Sequence, residues 1–337
     1  VRTLYPNFGA EEADVPPVAN GPRVFVHLRE AWSQALLPSR LGAFVDDDAF
    51  VAWLNTPGAL HAAQAAGRPL WGADPGVVDV VHDKGWCIRA QRALGIIDAG
   101  TDAHISVVDA VDVDVDVLAA AVARAGENAT LKPRRGTSGR GRVHGSRPET
   151  WPGALDRLRK LGGVVVEPWQ KRVVDWSSQW RVDDDGQVHF LGTTRAVTLT
   201  SGGWVAAVVD VTADGVVAAD VNDLARGAAV EGEGVEGEGV EGVEDPAGLR
   251  LHGLLRRFVD ESRLLVAAAA REGYVGFCGV DAFVYAADDG ALQLRMVELN
   301  ARFTAGLVAV GLALRVPPGM RLRFEPARSA SLMRLAS

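Results

Sequence analysis

Between Gly279 and Arg302 the chain reads GVDAFVY, turns through Asp288, Asp289 and Gly290, and returns as LQLRMVELNAR. Two runs with apolar residues at alternate positions, joined across a glycine-containing turn, predict a β-hairpin. On a period of two, Leu292, Leu294, Met296, Glu298 and Asn300 fall on one face, so the stripe passes from apolar to polar without changing direction. If Asp281 on the partner strand converges there, two carboxylates and an amide oxygen form a hard oxygen site for magnesium, or alternatively manganese, bridged to nucleotide phosphates. A capped hairpin with its own salt bridge to Arg302 is the structural alternative.

Upstream, the pattern predicts an alternation of elements. Arg23–Leu28 reads as a buried strand, Asp48–Leu54 and Ala59–Ala66 as helices, and Pro69–Trp71 as a second strand. Asp83 is placed to cap a helix running to Leu94, with Cys87, Ala90 and Leu94 on one face and Gly95 as the stop. Lys84 then sits in its first turn. A strand over His104–Asp109, a helix over Val115–Ala125 and a strand over Ala129–Lys132 follow. Val164–Trp169, Ser177–Val182, Gln187–Ala196 and Trp204–Asp210 read as successive strands of an antiparallel sheet, and Leu249–Arg271 as a helix. Met320, Leu322 and Phe324 alternate with charged residues, as in a final edge strand.

At 337 residues, 48% of them hydrophobic, the chain can bury a sizeable core. Its net charge of −8 is concentrated: Glu231–Asp245 holds six Glu and one Asp without a basic residue, leaving the remainder at −1. That balance offers no footprint for nucleic acid. The acidic repeat has too little apolar surface to offset chain entropy and reads as a disordered loop. Its G-x-G-x-x-G match at Gly232, Gly234 and Gly237 is surrounded by glutamates that would repel pyrophosphate. Cys87 and Cys278 lie far apart in apolar patterns, as buried thiols do, and no short zinc-binding spacing occurs. With no apolar run of signal or membrane-spanning length, a cytoplasmic protein without membrane partners is expected.

Two further segments carry chemistry. In LKPRRGTSGRGRV an apolar strand ends at Lys132 and enters a loop with Gly136, Ser138, Gly139 and Gly141. Glycines let backbone N–H groups approach phosphate oxygens, and a lysine adds a point charge, although the Lys and Ser/Thr that complete a P-loop are missing. A hairpin turn on a basic surface fits the same residues. In VVVEPW an apolar run ends at Glu167, which could accept a hydrogen bond from a sugar hydroxyl or an amino group, or simply be a surface acid.

In this order the segments resemble the ATP-grasp superfamily, over roughly Val81 to Leu312. The resemblance implies a mixed α/β (α+β) chain in which two subdomains with antiparallel sheets clasp ATP. It divides the chain into an N-terminal parallel α/β unit (1–82), a small subdomain with the glycine-rich loop (83–166), a C-terminal subdomain with the metal site (167–314, interrupted by the acidic loop 230–246) and a basic tail (315–337). It assigns ATP contacts to Lys84, Lys132, the loop residues and Glu167, with the backbone of Trp169 offered to adenine. Magnesium goes to Asp281, Glu298 and Asn300. Arg302 would steady substrate or developing charge, and Arg195 would bind an anion. On the strand around Asp175, the face Asp175, Ser177, Gln179 and Arg181 opposes Trp176 and Trp180, suggesting a polar floor under the triphosphate or substrate.

The activity so implied is carboxylate–amine ligation: ATP converts a small-molecule carboxylate to an acyl phosphate, which an amine captures. A kinase using the same cleft and an ATP-binding module without chemistry are the alternatives. The tail after Pro318 could support a homodimer.

Overall fold

The computed structural model describes residues 2–8, 10, 23–126, 128–136, 141–198, 204–212, 215–218, 249–287, 289–326 and 329–334. Ser138, Gly139 and the acidic segment 230–246 lie outside the described residues.

The N-terminal unit comprises β1 (Thr3–Tyr5), α1 (Arg23–Ala35), β2 (Phe50–Ala52), α2 (Pro57–Ala65) and α3 (Pro75–Val81). β1 pairs in parallel with β2, and Leu70 bridges Phe50 in parallel on its other side. Three expectations fail here. Pro69–Trp71 forms only the single Leu70 bridge and not a strand. Arg23–Leu28 is the start of a helix, because Leu28, Trp32 and Ala35 are buried at helical spacing and override the β-like run RVFVHL. Phe50–Ala52 is a strand inside the segment expected to be helical. Every side chain from Phe50 to Leu54 is buried, so the run has no periodicity to reveal its type.

The middle unit follows α4 (Lys84–Ala93) and the short α5 (Ala99–Asp102) with β3 (Ser106–Asp109), α6 (Val115–Ala125), β4 (Ala129–Pro133), β5 (Val143–His144), α7 (Trp151–Lys160) and β6 (Gly163–Pro168). Its four strands form an antiparallel sheet in the order β3-β6-β4-β5, whose core includes Leu118, Leu131, Leu158, Val164 and Val166. β6 therefore does not join the strands that follow it, as the sequence reading had it. Gly163 lets β6 meet β3 closely: its φ is +112°, and a Cβ there would strike the Val108 carbonyl. Gly163→Ala is expected to destabilise the chain by about 2 kcal/mol or more. Denaturant titration checks this, and an unchanged midpoint would mean the approach is looser than described.

The C-terminal unit holds β7 (Arg172–Val182), β8 (Val188–Thr198), β9 (Trp204–Thr212), β10 (Gly215–Ala218), α8 (Leu249–Arg271), β11 (Gly276–Ala286), β12 (Leu292–Asn300), α9 (Ala305–Ala313), β13 (Met320–Glu325) and β14 (Ser329–Arg334). The strands form one antiparallel sheet in the order β12-β11-β7-β8-β9-β13-β14, with β10 also on β9. β13 is not the edge that was expected, because β14 pairs outside it. Trp176 stacks on Phe258 of α8, with ring centroids 6.2 Å apart, so α8 covers the Trp176 face. α9 is buried almost all round and packs near Gln179 and Thr194 on the opposite face, with α1 behind it. Among the described residues no helix is long and apolar enough to cross a membrane.

Candidate active site

Lys84 is held from both ends. The Asp83 carboxylate caps α4 by accepting from Gly85 N at 2.6 Å, and it also accepts from Nε and Nη2 of the buried Arg134 at 2.8 and 2.6 Å. Lys84 N donates to the Arg134 carbonyl at 3.1 Å. The side chain then leaves the first turn of α4, donates from Nζ to the Gly136 carbonyl at 2.9 Å and lies 2.7 Å from Glu298 Oε2. One ammonium thus joins the glycine-rich loop to the end of β12.

Glu298 and Asp281 are direct cross-strand partners on β12 and β11, and the Asn300 amide donates to Asp281 at 2.9 Å. Their approach depends on a bulge that the alternation argument missed. Asp281 opposes Glu298 while Ala282 opposes Met296, so Val297 is an extra residue on β12. Before the bulge, Met296 faces the core and reaches Ser262 of α8, with Leu292 and Leu294 packed against the same core. After it, Glu298 and Asn300 face the cleft. The apolar stripe and the polar pair therefore lie on opposite faces of β12. Burial, and then the Glu298 charge, push the Asp281 carboxyl above its ordinary range. Burial acts the same way on Glu298, but Lys84, His82 and Arg302 together outweigh it and hold that carboxyl low.

A second ionic cluster closes the junction of the two sheets. Lys132 on β4 pairs with Glu167 on β6, and Arg295 on β12 reaches the other Glu167 oxygen at 3.2 Å and Gln91 of α4 at 3.0 Å. Burial lowers the Lys132 pKa against the opposing pull of Glu167. The sequence reading missed Arg295, although a charge between Leu294 and Met296 already implied that the opposite face of β12 is polar. It also missed Arg142 and Arg172, whose guanidinium carbons lie 4.4 and 5.1 Å from the centre of a Trp169 ring. The Trp169 N–H, one of the backbone groups expected to meet adenine, donates to the Asn128 carbonyl at 2.8 Å.

A cleft of about 270 Å³ runs between the sheets. Lys84, Lys132, Gly136, Asp175, Asp281, Glu298, Asn300 and Arg302 line it; Glu167 lines an adjoining hollow instead. Gly136 and Gly141 take positive φ of 153° and 70°. Asp175 receives Arg172 Nη1 at 2.7 Å and the Thr198 hydroxyl at 2.8 Å. Of the expected polar floor, Ser177 also faces the cleft, whereas Gln179 is buried and accepts from the Thr304 hydroxyl at 2.6 Å. Arg195 is not brought to the site: it pairs with Trp176 and shares that residue's face, while Thr194 and Ala196 turn to the cleft.

This arrangement of sheets has counterparts among solved structures. The biotin carboxylase of Campylobacter jejuni, in a β-γ-ATP complex, superposes with a TM-score of 0.52 at 12% identity, over 84% of this chain and 59% of that one. The biotin carboxylase domain of the Hydrogenobacter thermophilus 2-oxoglutarate carboxylase, a dimer with MgADP, ADP and bicarbonate, gives 0.51 at 14% identity over 96% and 68%. Rhizobium etli pyruvate carboxylase gives 0.50 at 15% identity over 93% and 25%. The chain has the ATP-grasp fold. No protein-family model and no curated protein matches its sequence, so the likeness is one of fold. The chain also spans only about 59% of the length of the C. jejuni enzyme.

In this ATP-grasp fold the cleft joins a cationic wall to an acidic floor. Among the described residues no group of three or more His, Cys, Asp or Glu side chains is placed to hold a metal. Asp281, Glu298 and the Asn300 amide come together at the cleft, and Lys84 pairs with Glu298. That set of oxygen donors would suit a hard divalent cation.

Proposed function

We propose that this chain is an ATP-dependent ligase that activates a carboxylate as an acyl phosphate and joins it to an amine. The observation that carries the reading is Lys84, which links the Gly136 carbonyl to Glu298 beside Asp281 and Asn300 within one cleft. The nucleotides named for the C. jejuni and H. thermophilus enzymes, one of them MgADP, favour ATP and magnesium here.

In this reading Lys84 and Lys132 offset phosphate charge, and the glycine-rich loop presents backbone N–H groups to phosphate oxygens. Magnesium bound by Asp281, Glu298 and Asn300 would supply further charge neutralisation. Arg302 holds the substrate carboxylate, whose oxygen bonds to the γ-phosphorus as the bond to the ADP oxygen breaks. The amine then attacks the acyl carbon, phosphate leaves, and the amine gives up its proton. The residues contribute by positioning and electrostatics, and no protein nucleophile takes part.

Two measurements test this. MgATP is expected to raise the melting temperature, and carboxylic acids supplied with hydroxylamine as the amine should give ADP and a hydroxamate. Phosphorylated product without hydroxamate would indicate a kinase. Lys132→Met is expected to weaken a non-hydrolysable ATP analogue at least tenfold by calorimetry, about 1.4 kcal/mol. An unaltered dissociation constant would remove Lys132 from the site.

A further inference from the structure

The cleft does not end at the carboxylates. Asp281 and Glu298 stand on β11 and β12, and the sheet continues through β7 and β8 to β9. At about 4.8 Å per strand, β9 lies roughly 14 Å beyond β11. There the lining changes character. Thr194, Ala196 and Thr198 on β8 and Trp204 on β9 form one wall, and Phe8 and Trp53 of the N-terminal unit form another. Trp53 stacks on Phe303, next to Arg302, with ring centroids 6.1 Å apart.

Two of the hydroxyls here have partners within the chain: Thr198 donates to Asp175, and Thr304 donates to Gln179. Gly306, at the start of α9, has no room for a Cβ, which would lie 2.5 Å from Gln179 Nε2. Among the described residues, every lining side chain contributed by β8, β9 and the N-terminal unit is uncharged. A phosphorylated or polyanionic substrate would find no cation on these walls, whereas an apolar group would exchange water for aromatic surface.

Resting on the ligase reading, we infer that this end of the cleft seats the apolar body of the carboxylate substrate, a group of leucine or phenylalanine size, with its carboxylate at Arg302. The substrate class is then an acid with an uncharged apolar body.

The test is hydroxamate formation by the full chain with MgATP and hydroxylamine, comparing L-phenylalanine, L-leucine and 3-phenylpropanoate with glycine and L-glutamate. The apolar acids are expected to exceed the other two at least tenfold in kcat/KM. Ala196→Leu, which fills the apolar end, should lower the ratio of L-phenylalanine to glycine by a further tenfold. A preference for glycine or L-glutamate, or an unchanged ratio in Ala196→Leu, would overturn the inference while leaving the ligase reading intact. If no acid yields hydroxamate, calorimetry of L-phenylalanine with a non-hydrolysable ATP analogue separates the two ideas. Binding would sink the ligase reading and keep the pocket; absence of binding would sink both.

Discussion

Glu298→Gln is expected to lower kcat for ATP turnover at least about a hundredfold while the chain stays folded. The carboxylate touches Lys84, at 2.7 Å, and also faces Asp281 across the hairpin. Removing its charge would weaken the proposed cation site and free Lys84 from its place beside the loop, and losses of this size follow from removing one preorganised electrostatic group from a reacting site. Stability should move by no more than about 2 kcal/mol. Glutamine has nearly the same volume, Lys84 keeps the Gly136 carbonyl, and loss of the ion pair is partly offset by relief of the repulsion on Asp281. ADP release and scanning calorimetry on the same preparation check both halves. Wild-type turnover in this variant would refute the cation assignment, and loss of the folded state would show the pair to be structural.

Glu167→Ala carries the largest expected cost in stability, about 3–5 kcal/mol. Glu167 is 6% exposed and joins Lys132 to Arg295, itself 6% exposed, so truncation leaves two buried cations without their shared anion. Urea denaturation measures the loss, and a change below about 1 kcal/mol would mean water replaces the carboxylate at the sheet junction. The same group predicts an acid response. Burial pushes its carboxyl up, but Lys132 and Arg295 outweigh burial and hold it at about 2, below the ordinary 4.5. A depressed carboxyl gives stability that is complete above 4.5 and fades as pH falls from there toward 2, because the unfolded chain takes the proton first. The stability gap between the wild type and Glu167→Gln should therefore shrink between pH 5 and pH 3. A gap that stays constant over that range would exclude Glu167 as its source.

How far the site was legible depended on whether its signal was local. Asp83 as a cap, Lys84 in the first turn and the hairpin between Gly279 and Glu298 were readable because capping and alternation act within a few residues. The bulge at Val297 was not, since one extra residue leaves the composition of the strand unchanged and shows only when the partner register is known. Arg195 was misplaced for a related reason: which face of β8 meets the cleft is decided by its pairing with β7.

Sequence alone determined the mixed α/β character, the hairpin, the capped helix and the residue types able to hold phosphate and a divalent cation. These rest on short-range periodicity and chemistry, which a chain carries before it folds. Tertiary structure alone decided that Arg23–Ala35 is a helix, that β6 belongs to the small sheet, that Arg295 reaches Glu167, and that Lys84 meets Glu298 from 214 positions away. Such pairings depend on burial and register between distant segments, and those exist only once the sheets have packed together.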